Sequence, residues 1–87
     1  MAYEVRLQPS ADREFRGLPR AAQARVVARL VGLASDHRPH GVKKLGGEGG
    51  FLRIRVGDYR VIYAIDDPGR IVWVVKVGHR GDVYRGR

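Results

Sequence analysis

Two alternating apolar runs joined by only two residues leave a chain few ways to fold, and residues 51–65 hold such a pair. FLRIRV and YRVIYAI flank Gly57-Asp58, and Gly as the first connecting residue predicts a tight hairpin of the II′ or I′ kind. That loop sets Val56 opposite Tyr59, Arg55 opposite Arg60 and Ile54 opposite Val61. Side chains alternate across a strand, so Leu52, Ile54, Val56, Tyr59, Val61 and Tyr63 share one face. Phe51, Arg53, Arg55, Arg60 and Ile62 share the other. The first face reads as core, and the second gathers guanidinium groups. A third run, IVWVVKV, follows Asp67-Pro68-Gly69-Arg70, where Pro then Gly at the central positions suits a type II turn. Its antiparallel return carries Val77 to Arg80 back toward Arg60. Like charges set directly opposite each other destabilise a sheet, so such a cluster fits a place where solvent screens it or an anion binds.

The rest of the chain must supply a layer to cover the apolar face. Residues 2–7 alternate, with Tyr3, Val5 and Leu7 on one side, and predict a short first strand. Pro9-Ser10 ends it, with Ser10 expected as the N-cap of a short helix carrying Asp12 and Glu14 in its first turn. Gly17 and Pro19 close that helix, and Pro19 opens a second one running to about Ala34. In it Ala22, Val26, Leu30 and Leu33 recur at helical spacing while Arg20, Arg25 and Arg29 fall elsewhere around the axis. Residues 35–50 read as loop, with Pro39, Gly41 and a glycine run at 46–50. That run lacks the Gly-Lys-Ser/Thr of a phosphate-binding P-loop. His37 and His40 have no third ligand at a useful spacing, so no metal site is expected. The architecture expected is α+β: a strand, a two-helix hairpin, then a three-stranded antiparallel meander, with the helices on one face of a four-stranded sheet.

Composition narrows the partners. The 87 residues suit one small domain spanning 1–87. The chain has no cysteine, signal-peptide core or membrane-length apolar stretch, so a soluble cytoplasmic protein is expected. A formal net charge of +8, carried mostly by arginine, favours a polyanion such as nucleic acid. Lys43 and Lys44 before the glycine run are candidate phosphate contacts, as is Arg85 in the tail. Tyr84, four residues after Arg80, suits stacking on a base or holding a phosphate oxygen.

The element order, with KKLGGEGGFLRIRVGDYRVIYAIDD and VKVGHRGDVYR, resembles the RelE/ParE superfamily of bacterial toxin–antitoxin toxins over nearly the whole chain. The pattern is most similar to the RelE branch, whose members cut messenger RNA in the ribosomal A site. The resemblance implies a site made of Arg53, Arg55, Arg60, Arg80 and Tyr84. It also implies a RelB-like antitoxin, operator DNA bound through that antitoxin, and no cofactor. ParE-like relatives share the fold but target DNA gyrase, and a non-catalytic RNA-binding module is a further alternative.

The implied chemistry uses the RNA's own 2′-hydroxyl as nucleophile, with guanidiniums neutralising charge on the phosphorane. Arg60 and Arg80 are assigned to the scissile phosphate, and Tyr84 to stacking or proton handling. Better-known members of the branch carry lysines where this chain has Arg53 and Arg55. An arginine effectively cannot deprotonate, which leaves Arg55 to pre-align the phosphate and His79 as the nearby group titrating close to neutrality.

Overall fold

The computed structural model describes residues 2–45 and 50–79. Among the described residues seven elements run in the order β1 (Glu4–Leu7), α1 (Pro9–Arg16), α2 (Arg20–Ser35), β2 (Lys43–Lys44), β3 (Leu52–Val56), β4 (Tyr59–Asp66) and β5 (Ile71–His79). The strands form one sheet in the order β1-β5-β4-β3-β2. The β3–β4–β5 meander is antiparallel, as expected, while β1 joins β5 in parallel. The sheet is thus mixed, with five strands rather than four. The fifth is β2, which lies in the stretch read as loop and pairs antiparallel with β3.

The hairpin register matches the sequence reading pair for pair, with Val56 opposite Tyr59, Arg55 opposite Arg60 and Ile54 opposite Val61. Gly57 has φ +60° and Asp58 is not in the left-handed region, the pattern of a type II′ turn. The next turn departs from expectation. Gly69 has no positive φ; Arg70 carries it instead, at 56°. The Arg70 amide donates to the Asp67 carbonyl at 3.1 Å, and the Gly69 amide donates to the Asp66 carboxylate at 3.1 Å. The Asp66 side chain therefore organises the turn, and the left-handed residue follows it, as in loops that close with a bulge.

Strand β5 contains an irregularity that its sequence hides. Ile62 pairs with Lys76 but Tyr63 pairs with Val74, so Val75 is an extra residue. Strict alternation from Val72 and Val74 would turn Lys76 inward. The bulge re-phases the strand so that Val77, 1% exposed, enters the core instead.

Both helices cover the face carrying Ile54, Val61, Tyr63, Val72, Val74 and Val77. From α2 come Val26, Leu30 and Leu33, with Ala22 also buried, the four residues its spacing singled out. Helix α1 starts two residues earlier than expected, with Pro9 at its first turn and Gln8 at the cap position instead of Ser10. Glu14 lies beyond the first turn and does other work. Its carboxylate accepts the Val77 amide at 2.9 Å and the Lys76 ammonium at 2.7 Å. Beyond Val74, β5 has no β1 residue paired to it, and the Glu14 carboxylate supplies the acceptor an uncovered strand edge would lack.

A second polar cluster ties the α2–β2 connection to the sheet. The Tyr3 hydroxyl donates to Asp67 at 2.6 Å, and Arg38 donates to the same carboxylate at 3.2 Å. The Tyr3 ring stacks on His37 with centroids 3.9 Å apart, and the Tyr63 hydroxyl donates to the His37 carbonyl at 2.8 Å. The Tyr3 hydrogen bond, then that from Arg38, holds the Asp67 carboxyl below its usual range. Burial pushes the Tyr63 phenol up to about 12. This anchoring fixes the start of the segment that delivers β2 to the sheet edge.

Candidate functional site

The face without helices is where the cations converge, and the strand register determines their order. One row across the sheet runs Arg55, Arg60 and Gly78; the next runs Lys43, Arg53 and Ile62 and ends at Lys76, whose ammonium is held by Glu14 of α1. Arg55 and Lys43 are exposed and Arg53 is half-buried. Lys43, Arg53 and Arg55, with Gly41, line a hollow of about 320 Å³.

Arg60 is unlike its neighbours. It lies in β4, between β3 and β5, and is only 8% exposed. Its Nη1 donates to the Tyr59 carbonyl at 3.5 Å, the long limit of a hydrogen bond, and its Nε has no partner among the described residues. Directly opposite stands Arg55, a like charge, and on the other side Gly78 contributes no side chain. Among the described residues no carboxylate forms an ion pair with Arg60. A buried guanidinium facing another cation is costly. What such a group does well is accept a multidentate anion, because its fixed N–H fork matches phosphate oxygens.

The residues proposed from sequence thus separate into three groups. Arg53, Arg55 and Arg60 share one face, as read, and Lys43 joins them. Lys44 pairs with Leu52, so it belongs to the alternate set, exposed on the other side. His79 pairs with Tyr59, on the helix-bearing side, and meets its ring edge-on at 5.7 Å. There it borders a cleft of about 310 Å³ formed with Arg13, Glu14 and Leu18, away from the Arg55–Arg60 row. Arg80, Tyr84 and Arg85 lie outside the described residues.

Lys43 was legible as a basic residue but not as a member of the arginine face. A two-residue strand followed by glycines has no periodicity to read; the alternation of β3 itself was the only available signal, since any partner of Arg53 must share its side.

Comparison with known proteins bears on the fold and the family. A model of the ParE toxin of the type II toxin-antitoxin system parDE matches residues 5–84. Toxin RelG of Mycobacterium tuberculosis (strain ATCC 25618 / H37Rv) is 37% identical over 86 residues, spanning 98% of this chain and 99% of RelG. The toxin–antitoxin complex RelBE2 from Mycobacterium tuberculosis superposes with a TM-score of 0.82 at 33% identity, covering 92% of this chain and 100% of its counterpart. The archaeal RelE–RelB complex from Pyrococcus horikoshii OT3 gives 0.81 at 30% identity, covering 94% and 99%. The two-helix, five-strand arrangement and the sequence likeness together place the chain in the ParE toxin family of type II toxin–antitoxin systems, within the RelE/ParE superfamily.

Proposed function

We propose that this toxin is a ribosome-dependent messenger RNA endonuclease that cuts in the A site and is restrained by a RelB-like antitoxin. The observation that carries the reading is the buried Arg60, opposite Arg55 and beside the hollow of Arg53 and Lys43. In the reaction, the RNA 2′-oxygen loses its proton and bonds to the adjacent phosphorus, while the bond from phosphorus to the 5′-oxygen breaks. The leaving 5′-oxygen takes up a proton. Charge accumulates on the phosphorane, and preorganised donors aimed at it are usually the largest catalytic contribution. Arg60 and Arg80 hold the phosphate, Arg53 and Arg55 align it, and Tyr84 stacks or handles a proton. With arginine at 53 and 55 no lysine base stands at those positions, so positioning carries more of the rate. The side on which His79 stands argues against it as the proton carrier.

The antitoxin reading rests on related toxins solved with RelB partners and on the surface of this chain. Val27 and Val31 of α2 are 45% and 67% exposed. With Val5, Leu7, Leu30 and Ala34 they form an apolar groove of about 320 Å³. An amphipathic acidic segment would seat its apolar side there and its carboxylates on the arginine face. Through that antitoxin the complex would bind its operator DNA in the cytoplasm.

Cleaved RNA should carry a 2′,3′-cyclic phosphate or 3′-phosphate on one fragment and a 5′-hydroxyl on the other, with no effect of EDTA. A 5′-phosphate product, or loss of activity in chelator, would overturn the mechanism. The ParE description of the matching family favours a second reading, non-catalytic gyrase inhibition. Induction followed by mapping of broken messages separates them: codon-phased cuts support the endonuclease, and DNA damage with intact messages supports the gyrase inhibitor.

A further inference from the structure

The chain contains a single tryptophan, and it is not in the core. Trp73 pairs with Arg6 of β1 on one side and Ala64 of β4 on the other. Its strand neighbours Val72 and Val74 are fully buried under the helices, so alternation turns the indole to the opposite, helix-free face. It is half-buried and is not among the side chains packed on the core cluster. The Arg6 guanidinium lies 5.7 Å from the ring centroid, within cation–π reach. Glu4 holds that guanidinium through contacts of 2.6 and 3.1 Å. A large aromatic with a tethered arginine beside it therefore shares a face with Arg53, Arg55, Arg60 and Lys43.

The spacing gives this position a meaning. Along β4, Ala64 lies four residues from Arg60, a separation of ~13 Å at the usual strand rise. A short extended single strand bridges that distance, and flat aromatic surfaces with arginines beside them are what unpaired bases stack on. Building on the reading of the arginine row as an RNA phosphate site, we propose that Trp73, with Arg6, is a stacking position for an unpaired base of the same RNA. Its phosphate chain runs across the sheet from the Arg55–Arg60 row toward β1. The position accepts any base, because every base has a π face, and it positions RNA without touching the reacting atoms.

The sole tryptophan is its own reporter. A single-stranded hexaribonucleotide, 2′-O-methylated to prevent cleavage, should quench the fluorescence of the full-length toxin saturably, whereas inorganic polyphosphate should bind without quenching. In competition binding, Trp73→Leu should weaken the oligonucleotide by ~5- to 150-fold, the range of one base–aromatic stack. Trp73→Phe should stay within about threefold of wild type, which separates loss of the aromatic face from loss of bulk. On programmed ribosomes, Trp73→Leu should raise the half-saturating ribosome concentration and leave single-turnover cleavage at saturation largely intact. An unquenched indole with a Leu variant equal to wild type in both assays overturns the stacking role while leaving the endonuclease reading in place. Quenching by RNA in a protein that never cuts messages would retain the stack and remove that reading. Quenching by an acidic antitoxin peptide but not by RNA would make Trp73 a protein contact and overturn the proposal.

Discussion

Replacing Arg60 by methionine should make the free toxin more stable and less active at once. The guanidinium is 8% exposed, its Nε has no partner among the described residues, and Arg55 stands opposite. An unsatisfied buried polar group costs roughly 1–3 kcal/mol, and a like-charge cross-strand pair adds up to ~1 kcal/mol. Methionine keeps a long unbranched side chain and loses both penalties. Repacking returns less than ~1.5 kcal/mol against it. At the middle of these ranges the net expectation is a gain of roughly 2 kcal/mol, or ~8–16 °C in Tm, since each kcal/mol shifts a domain of this size by about 4–8 °C. Thermal melts of antitoxin-free protein at low salt read this directly. Inorganic phosphate supplies the complementary arm. It should raise the wild-type Tm by mass action on the native state and leave Arg60→Met nearly unmoved. Single-turnover cleavage by the variant should fall ~10²–10³-fold, the loss expected for one preorganised donor. A methionine variant that melts below wild type would show that the guanidinium is already satisfied in the free toxin, and the reasoning from its burial would fail.

Tyr63 gives an alkaline signature. Its folded pKa is raised to about 12 against 10.0 unfolded, so its contribution is whole below pH 10 and disappears as pH climbs toward 12; Tyr63→Phe should remove that limb from a stability–pH profile. Glu14→Ala should cost ~1–2 kcal/mol in urea melts, the value of a charge-assisted hydrogen bond to the Val77 amide and a partly screened ion pair. An unchanged midpoint would mean that water caps the β5 edge equally well. Lys43→Ala should weaken RNA binding about evenly across sequences and reduce the salt slope by ~0.7, as for one phosphate contact on a single strand; an unchanged slope would remove Lys43 from the phosphate path.

Where the sequence carried a strict period, the fold was readable from it. The two-residue Gly57-Asp58 turn leaves no freedom of register, so the Arg55–Arg60 pairing followed from counting. The inward residues of α2 followed from the 3.6-residue repeat. Three features escaped because side chains or single residues override the period. Asp66 captured the Gly69 amide and changed the turn that Pro68-Gly69 suggested. Val75 was extruded as a bulge so that Lys76 could meet Glu14 instead of the core. Strand β2 exists only because β3 offers it an edge. Within the site, the arginine row was legible and its depth was not. Alternation says which way Arg60 faces, but burial depends on strands on both sides. The expectation for His79 turned on the same register, since a residue opposite Tyr59 cannot share a face with Arg60.

The arginine-for-lysine pattern connects the stability of the toxin to its control. Arg55 and Arg60 stand opposite each other and cannot shed their protons, so the repulsion between them persists at every physiological pH. A row of lysines could lower its own charge while empty; the Arg55–Arg60 row cannot, and its cost stays until an anion arrives. On the proposed reading the messenger phosphate and the antitoxin's carboxylates both answer that requirement at the same place. Each stabilises the toxin by binding it folded. Each lowers the affinity for the other by neutralising the same guanidiniums, even where the two do not overlap. Restraint by an acidic antitoxin then needs no separate blocking device: occupancy of the Arg55–Arg60 row suffices, and release requires removing an anion that also holds the fold together.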